Sequence, residues 1–235
     1  MNLDISFSLT RGFENVSRGV ASLADVCDTL RTRLNMRWPV EFSWGSEISV
    51  NALLLVLLEH RSPVLTSRLW CSAGHPADRG RVARSSRECC VLILAERTTD
   101  IQQYLDDGMA VQTHASCRLC HSAVVTSRSS FVDAPSILSF DLCRWEMPKI
   151  NDTVTINTAQ ETAKYLLKGV IYHHDHHFTS RIVGPGNMVW FHDGLVAQSS
   201  GLVYEGLLSS LPDIRSKGPM RAVSVVYFLE GRTDL

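Results

Sequence analysis

The sequence has no apolar run long enough to cross a membrane. Its longest, Ala52 to Leu58, is seven residues. It has no excess of charge of either sign: 23 Lys and Arg stand against 24 Asp and Glu, and charged residues make up only 20% of the chain. There is therefore no bulk basicity to hold nucleic acid by its phosphates. The arginines Arg79, Arg81, Arg84 and Arg87 form one local patch without an aromatic-rich binding signature. A formal net charge of −1 also predicts poor solubility for the isolated chain. The segment Met1-Asn2-Leu3-Asp4-Ile5 has an acid and no basic flank, so no secretory signal is expected. Lipidation motifs, internal repeats and a His-Glu-x-x-His helix are missing too. The seven cysteines are an odd number, and Cys89 and Cys90 are adjacent. That pattern reads as reduced thiols of the cytoplasm or nucleus rather than a disulfide framework.

What is present is a chain of 235 residues, 45% hydrophobic, long enough for one large or two small domains. Residues 1 to about 60 read as helical. Leu23, Val26, Cys27, Leu30 and Leu34 recur at spacings of three and four and predict one apolar stripe, with Cys27 buried in it. A second helix, capped by Ser46 or Ser49, runs through Asn51 to Leu58; apolar side chains on every side predict burial. Residues 72–88 read as a polar loop, Cys89 to Leu94 as a short strand, and Thr98 or Thr99 as the cap of a short helix. From about residue 110 the period changes. Strands are predicted within Val111 to Val125, on both sides of Cys117-Arg118-Leu119-Cys120. Others are predicted at Ser136–Arg144, Thr153–Ile156, Tyr165–Tyr172, Phe178–Val183, Met188–Phe191 and Ala222–Leu229. Helices followed by antiparallel strands make an α+β protein.

Five of the nine histidines lie in Tyr172-His173-His174-Asp175-His176-His177-Phe178-Thr179 and in Trp190-Phe191-His192-Asp193-Gly194. On a continuous strand His173 and His177 would be about 13 Å apart, too far to share one zinc without a bend at Asp175 and His176. The plainer reading of the cluster is a polar hairpin end. The turn Gly184-Pro185-Gly186-Asn187 folds the later strand back beside the earlier one and can bring Asp193 to His177. A carboxylate on one imidazole nitrogen fixes the tautomer and leaves the other nitrogen as a base, the arrangement a cysteine or serine nucleophile requires.

Together, Lys168-Gly169-Val170-Ile171-Tyr172-His173, His177-Phe178-Thr179-Ser180-Arg181-Ile182 and Trp190-Phe191-His192-Asp193-Gly194 resemble the C-terminal part of the ubiquitin-specific protease family. The resemblance spans roughly residues 105 to 230. Cys117-Arg118-Leu119-Cys120, with Ser122 and Phe131, is similar to the first half of that family's zinc-binding fingers. Pro135 to Leu142 with Arg144 is similar to the strand returning from them. The resemblance implies a papain-like cysteine protease fold with shortened fingers: a helical thumb-like part over 1–110 and a β-rich fingers and palm part over 111–235. It implies a cysteine-type deubiquitinase acting on the isopeptide bond at the ubiquitin C-terminus. His177 would be the general base, Asp193 its orienting acid, and ubiquitin or a ubiquitin-like protein the partner, with no cofactor for catalysis.

Two departures bear on activity. The family's nucleophile box aligns with Gly45 to Leu55, where Asn51, Ala52 and Leu54 fit but Ile48 holds the cysteine position and Leu55 the glutamine position. A second register puts Phe42 at the cysteine. Neither side chain can attack a carbonyl. Cys27 and Cys71 are the remaining candidates, in unrelated sequence contexts. A non-catalytic ubiquitin-binding pseudo-protease is thus the alternative to an active enzyme, and a zinc-binding interaction domain a further one. The fingers also lack a second Cys-x-x-Cys, since only Cys143 follows Cys120. Cys117 and Cys120 either hold a structural zinc, with partners from among His114, His121, Cys71 and His75, or are ordinary reduced thiols.

Overall fold

A computed structural model describes residues 11–12, 14–16, 18–44, 48–58, 64–77, 83–85, 91–94, 98–121, 124–142, 148–193 and 202–231. The chain divides into two units, residues 1–60 and 61–235.

In the first unit, Ser22 opens helix α1 (Leu23–Arg37). Its hydroxyl accepts the Asp25 amide at 3.1 Å, and the Asp25 carboxylate accepts the Ser22 amide at 2.8 Å, a reciprocal capping box. Helix α2 (Val50–Leu57) starts at Ser49, whose hydroxyl accepts the Ala52 amide; Ser46 lies outside the described residues. Leu34 and Phe42 are the buried centre of this unit, with Leu30, Trp38, Ile48, Leu53, Val56 and Leu57 packed against them. Two expectations are corrected. Cys27 is exposed, because the inward row of α1 is Val26, Leu30 and Leu34, spaced four apart. No residue of α2 is fully buried, and Leu55 is exposed: so few residues cannot cover a helix that is apolar on all sides.

Among the described residues the second unit holds thirteen strands and one α-helix: β1 (Leu65–Cys71), β2 (Ala83–Ser85), β3 (Val91–Ile93), α3 (Ile101–Asp106), β4 (Val111–Thr113), β5 (Val125–Phe131), β6 (Ile137–Asp141), β7 (Thr153–Asn157), β8 (Thr162–His174), β9 (His177–Val183), β10 (Met188–Asp193), β11 (Leu202–Leu207), β12 (Ser216–Lys217) and β13 (Met220–Leu229). The described chain is therefore mostly strand with few helices. Strands begin at Leu65, well before residue 110, and β2 lies inside the expected loop 72–88. Asp100, not Thr98 or Thr99, caps α3 by accepting the Gln103 amide at 3.1 Å. Cys89 and Cys90 lie outside the described residues, as does Cys143.

These strands make two sheets. The smaller has the order β2-β1-β5-β4, all antiparallel. The larger has the order β11-β10-β9-β8-β13-β6-β3, with β7 beside β8 and β12 beside β13; only β3 with β6 is parallel. Two bulges keep its inner face apolar. Lys168 is an extra residue on β8, so the buried row passes from Tyr165 and Leu167 to Val170 and Tyr172. Val223 is the matching extra residue on β13, between Ala222 and Ser224. Three buried tyrosines tie loops to this core: Tyr165 donates to the Pro135 carbonyl at 2.7 Å, Tyr172 to Ile214 at 2.6 Å and Tyr227 to Asn151 at 2.9 Å. No helix among the described residues is long and apolar enough to cross a membrane.

Candidate functional site

Strands β8 and β9 meet in a two-residue turn, Asp175-His176, with His174 opposite His177. Both turn residues take positive φ, +44° and +64°. This is the bend the histidine cluster needed, and it makes the cluster a hairpin end rather than a metal cage. Among the described residues the one group with metal-ligand spacing lies elsewhere, and no histidine of the hairpin belongs to it.

On β9 the residues His177, Thr179, Arg181 and Val183 share one face, and on β10 so do Val189, Phe191 and Asp193. The register places Asp193 opposite Thr179 and Phe191 opposite Arg181. His177 is thus one diagonal step from Asp193, and its Nε2 lies 2.8 Å from Asp193 Oδ1. The same face is closed further along by buried Thr179, Arg181, Val183 and Val189. It opens at this end, where the His177 and Asp193 side chains are 28% and 20% exposed. An ionised Asp193 only accepts, so Nε2 carries the hydrogen and Nδ1 keeps its lone pair. The pair can take a proton at Nδ1 from a group brought to it.

Below this pair lies a network that motif reasoning missed. Arg181, 4% exposed, donates from Nε to Glu205 at 2.6 Å. Its Nη1 donates to the Tyr172 hydroxyl and to the carbonyls of Asp213 and Ser216, each at 3.1 Å. Lys217 pairs with the other Glu205 oxygen and sits over the Phe191 ring at 5.1 Å. Burial works to raise the Glu205 carboxyl, but the bonds from Arg181 and Lys217 outweigh it and hold it below the ordinary value. Burial pushes the Tyr172 hydroxyl up to about 12. The network fixes the segment 213–217 against the strands that carry His177 and Asp193. The sequence signal was an arginine at a buried period-2 position of β9.

The second cluster forms at one end of the smaller sheet. Cys71 ends β1 opposite Val125, and Cys117 and Cys120 lie in the turn joining β4 to β5. Gly74, at φ +82°, turns the chain so that His75 comes back on Cys71, whose amide donates to the His75 carbonyl at 2.9 Å. The ligand atoms of Cys71, His75, Cys117 and Cys120 all lie within 4.8 Å of one another. Zinc–thiolate bonds of about 2.3 Å in a tetrahedron put ligand atoms about 3.8 Å apart, so the group fits zinc after a slight contraction. Two amides donate to its sulfurs, Ala73 to Cys71 at 3.5 Å and Leu119 to Cys117 at 3.4 Å. His75 Nδ1 lies 3.1 Å from the Pro76 carbonyl; that oxygen only accepts, so Nδ1 donates and Nε2 is left for a metal. This group can hold a metal ion. Of the partners considered for Cys117 and Cys120, the structure brings Cys71 and His75, which precede them in the chain. His114 and His121 are not in the group.

Cys71 is in the metal group, and Cys27 is on α1 in the first unit. Phe42 is buried in the core of the first unit, and Ile48 directly precedes the α2 cap, half-buried against that core.

No protein-family model and no curated protein sequence matches the chain. Among solved structures, the SAGA DUB module of Ubp8, Sgf11, Sus1 and Sgf73 bound to monoubiquitin aligns at 12% identity and a TM-score of 0.51, covering 94% of this chain and 52% of that one. The module bound to ubiquitin aldehyde aligns at 12% identity and 0.49, covering 87% and 49%. A yeast SAGA DUB module with an Sgf73 mutant aligns at 14% and 0.47, covering 72% and 41%. The chain spans about half the length of the solved chains it matches. It has a ubiquitin-specific-protease-like fold.

Proposed function

We propose that this chain is a ubiquitin-recognising protein of that fold in its papain-like α+β form, with the helical unit as thumb, the smaller sheet as zinc-tipped fingers and the larger sheet as palm. The observation that carries the reading is the His177–Asp193 pair at the open end of the palm sheet. In this reading His177 Nδ1 faces the tail of a bound ubiquitin, and Asp193 sets its tautomer. Hydrolysis would further need a thiol to give its proton to Nδ1, attack the isopeptide carbonyl and receive the proton back through His177 onto the leaving amine. At the start of α2, where the family box falls, this chain has Ile48. Recognition without turnover therefore fits the residues best. Cysteine-type deubiquitination is the second reading, favoured by the intact base–acid pair. Zinc at Cys71, His75, Cys117 and Cys120 would cross-link the finger tip and serve no chemical step.

Two measurements on the full chain test this: ubiquitin binding by calorimetry and labelling by a ubiquitin vinyl electrophile. Saturable binding without an adduct is expected. An adduct on one cysteine, lost in His177→Ala, would establish the enzyme instead. Neither binding nor labelling would sink both readings.

A further inference from the structure

We infer that Cys71 and Cys120 are a peroxide-sensitive pair that closes to a disulfide in exchange for the metal; this rests on the reading of Cys71, His75, Cys117 and Cys120 as a zinc site. The two sulfurs lie 3.4 Å apart although the residues are 49 positions apart in sequence. Access divides the roles. Cys120 is exposed, whereas Cys71 and Cys117 are buried, at 5% and 0%. Cys120 is the sulfur a small oxidant reaches, and Cys71 the neighbour that resolves it. The Cys117 sulfur, like that of Cys71, accepts one backbone amide, but it also lies 3.9 Å from the Ala77 carbonyl. It belongs to the same turn as Cys120, whereas Cys71 comes from the opposite knuckle. Closure would therefore join the two loops directly, where a bound metal would join them through four ligands.

The chemistry balances with hydrogen peroxide as oxidant. The Cys120 thiolate attacks one peroxide oxygen; an S–O bond forms, the O–O bond breaks, and the hydroxide released takes a proton to become water. The Cys71 thiolate then attacks the Cys120 sulfur; the S–S bond forms, the S–O bond breaks, and a second hydroxide leaves as water after protonation. Two thiolates have lost two electrons, and one peroxide has become two waters with two protons from solvent. A metal held there would keep its charge but lose two of its four ligands, since only His75 and Cys117 would remain to hold it.

The test uses the full chain as purified. Zinc content is measured first. Peroxide is then titrated, with released zinc read by a chromogenic chelator and linkages mapped by mass spectrometry of non-reduced digests. The expected result is a dominant Cys71–Cys120 linkage that rises in step with zinc release and is reversed by dithiothreitol with added zinc. Cys120→Ser should abolish the linkage and slow release at least tenfold; Cys27→Ser, on the helical unit, should change neither. Should Cys120→Ser not fold, the wild-type linkage map decides alone. A dominant Cys117–Cys120 linkage, or Cys120 driven to sulfinic acid without any linkage, overturns the proposal although the zinc site stands. Absence of zinc from the purified chain overturns the zinc reading and with it the exchange.

Discussion

His176 sits at φ +64° in a two-residue turn, a conformation in which its Cβ is crowded and which glycine adopts freely. Turns of this kind favour Asn-Gly or Asp-Gly, and the chain has Asp175-His176. His176→Gly should therefore stabilise the second unit by about 1 kcal/mol, net of the added freedom of the unfolded chain. Urea unfolding of both proteins measures it, and an unchanged or lower midpoint would refute the strain. The contact of His177 with Asp193 was legible because a strand, a glycine-rich turn and a second strand force two side chains of like parity into diagonal contact. Cys71 and His75 carried no such local signal. They join Cys117 and Cys120 only through the β1–β5 pairing, and that pairing is invisible until β1 is recognised as a strand.

Elements tell the same story with different physics. The long strands β8 and β13 were legible because their buried rows are strongly apolar. The strand β1, Leu-Thr-Ser-Arg-Leu-Trp-Cys, is buried only at its two ends and shows no alternation to read. The edge strand β11 has Leu202, Val203, Tyr204 and Leu207 all exposed, so its apolar residues do not sort by face. What anchors β11 is Glu205, bound to Arg181 and Lys217. Because the folded-state pKa of Glu205 lies below its ordinary value of 4.5, the unfolded chain takes up the proton first on acidification. Its contribution is fully present above that value and is lost as pH falls through the folded-state value. Glu205→Ala leaves buried Arg181 without its anion and should cost about 3 kcal/mol near neutrality. The same variant should show a shallower loss of stability in acid than the wild type. Unfolding midpoints measured from about pH 3 to pH 7 decide this, and parallel curves would exclude Glu205 as a contributor to the acid limb.

At the scale of the whole molecule, the order of helices before strands could be read from the change of period, but the chain turns to strand at Leu65 rather than near residue 110. A metal held by Cys71, His75, Cys117 and Cys120 would join two loops of the second unit. Stripping zinc should then lower the stability read from the β-sheet signal by about 2.7 kcal/mol where free metal had stood a hundredfold above its dissociation constant. A stoichiometry of one zinc per chain by atomic emission checks the premise.

The position of β13 has a consequence for biosynthesis. It lies between β8 and β6 in the middle of the larger sheet, yet it comes after every other strand of the described residues. On the ribosome, β6 is made by Asp141 and must wait for Leu229 before its partner exists. At about 5–20 residues per second that interval is roughly 4–18 s. During it the apolar rows of β6 and β8 stand without the strand that joins them, a window in which a nascent-chain chaperone would find its substrate.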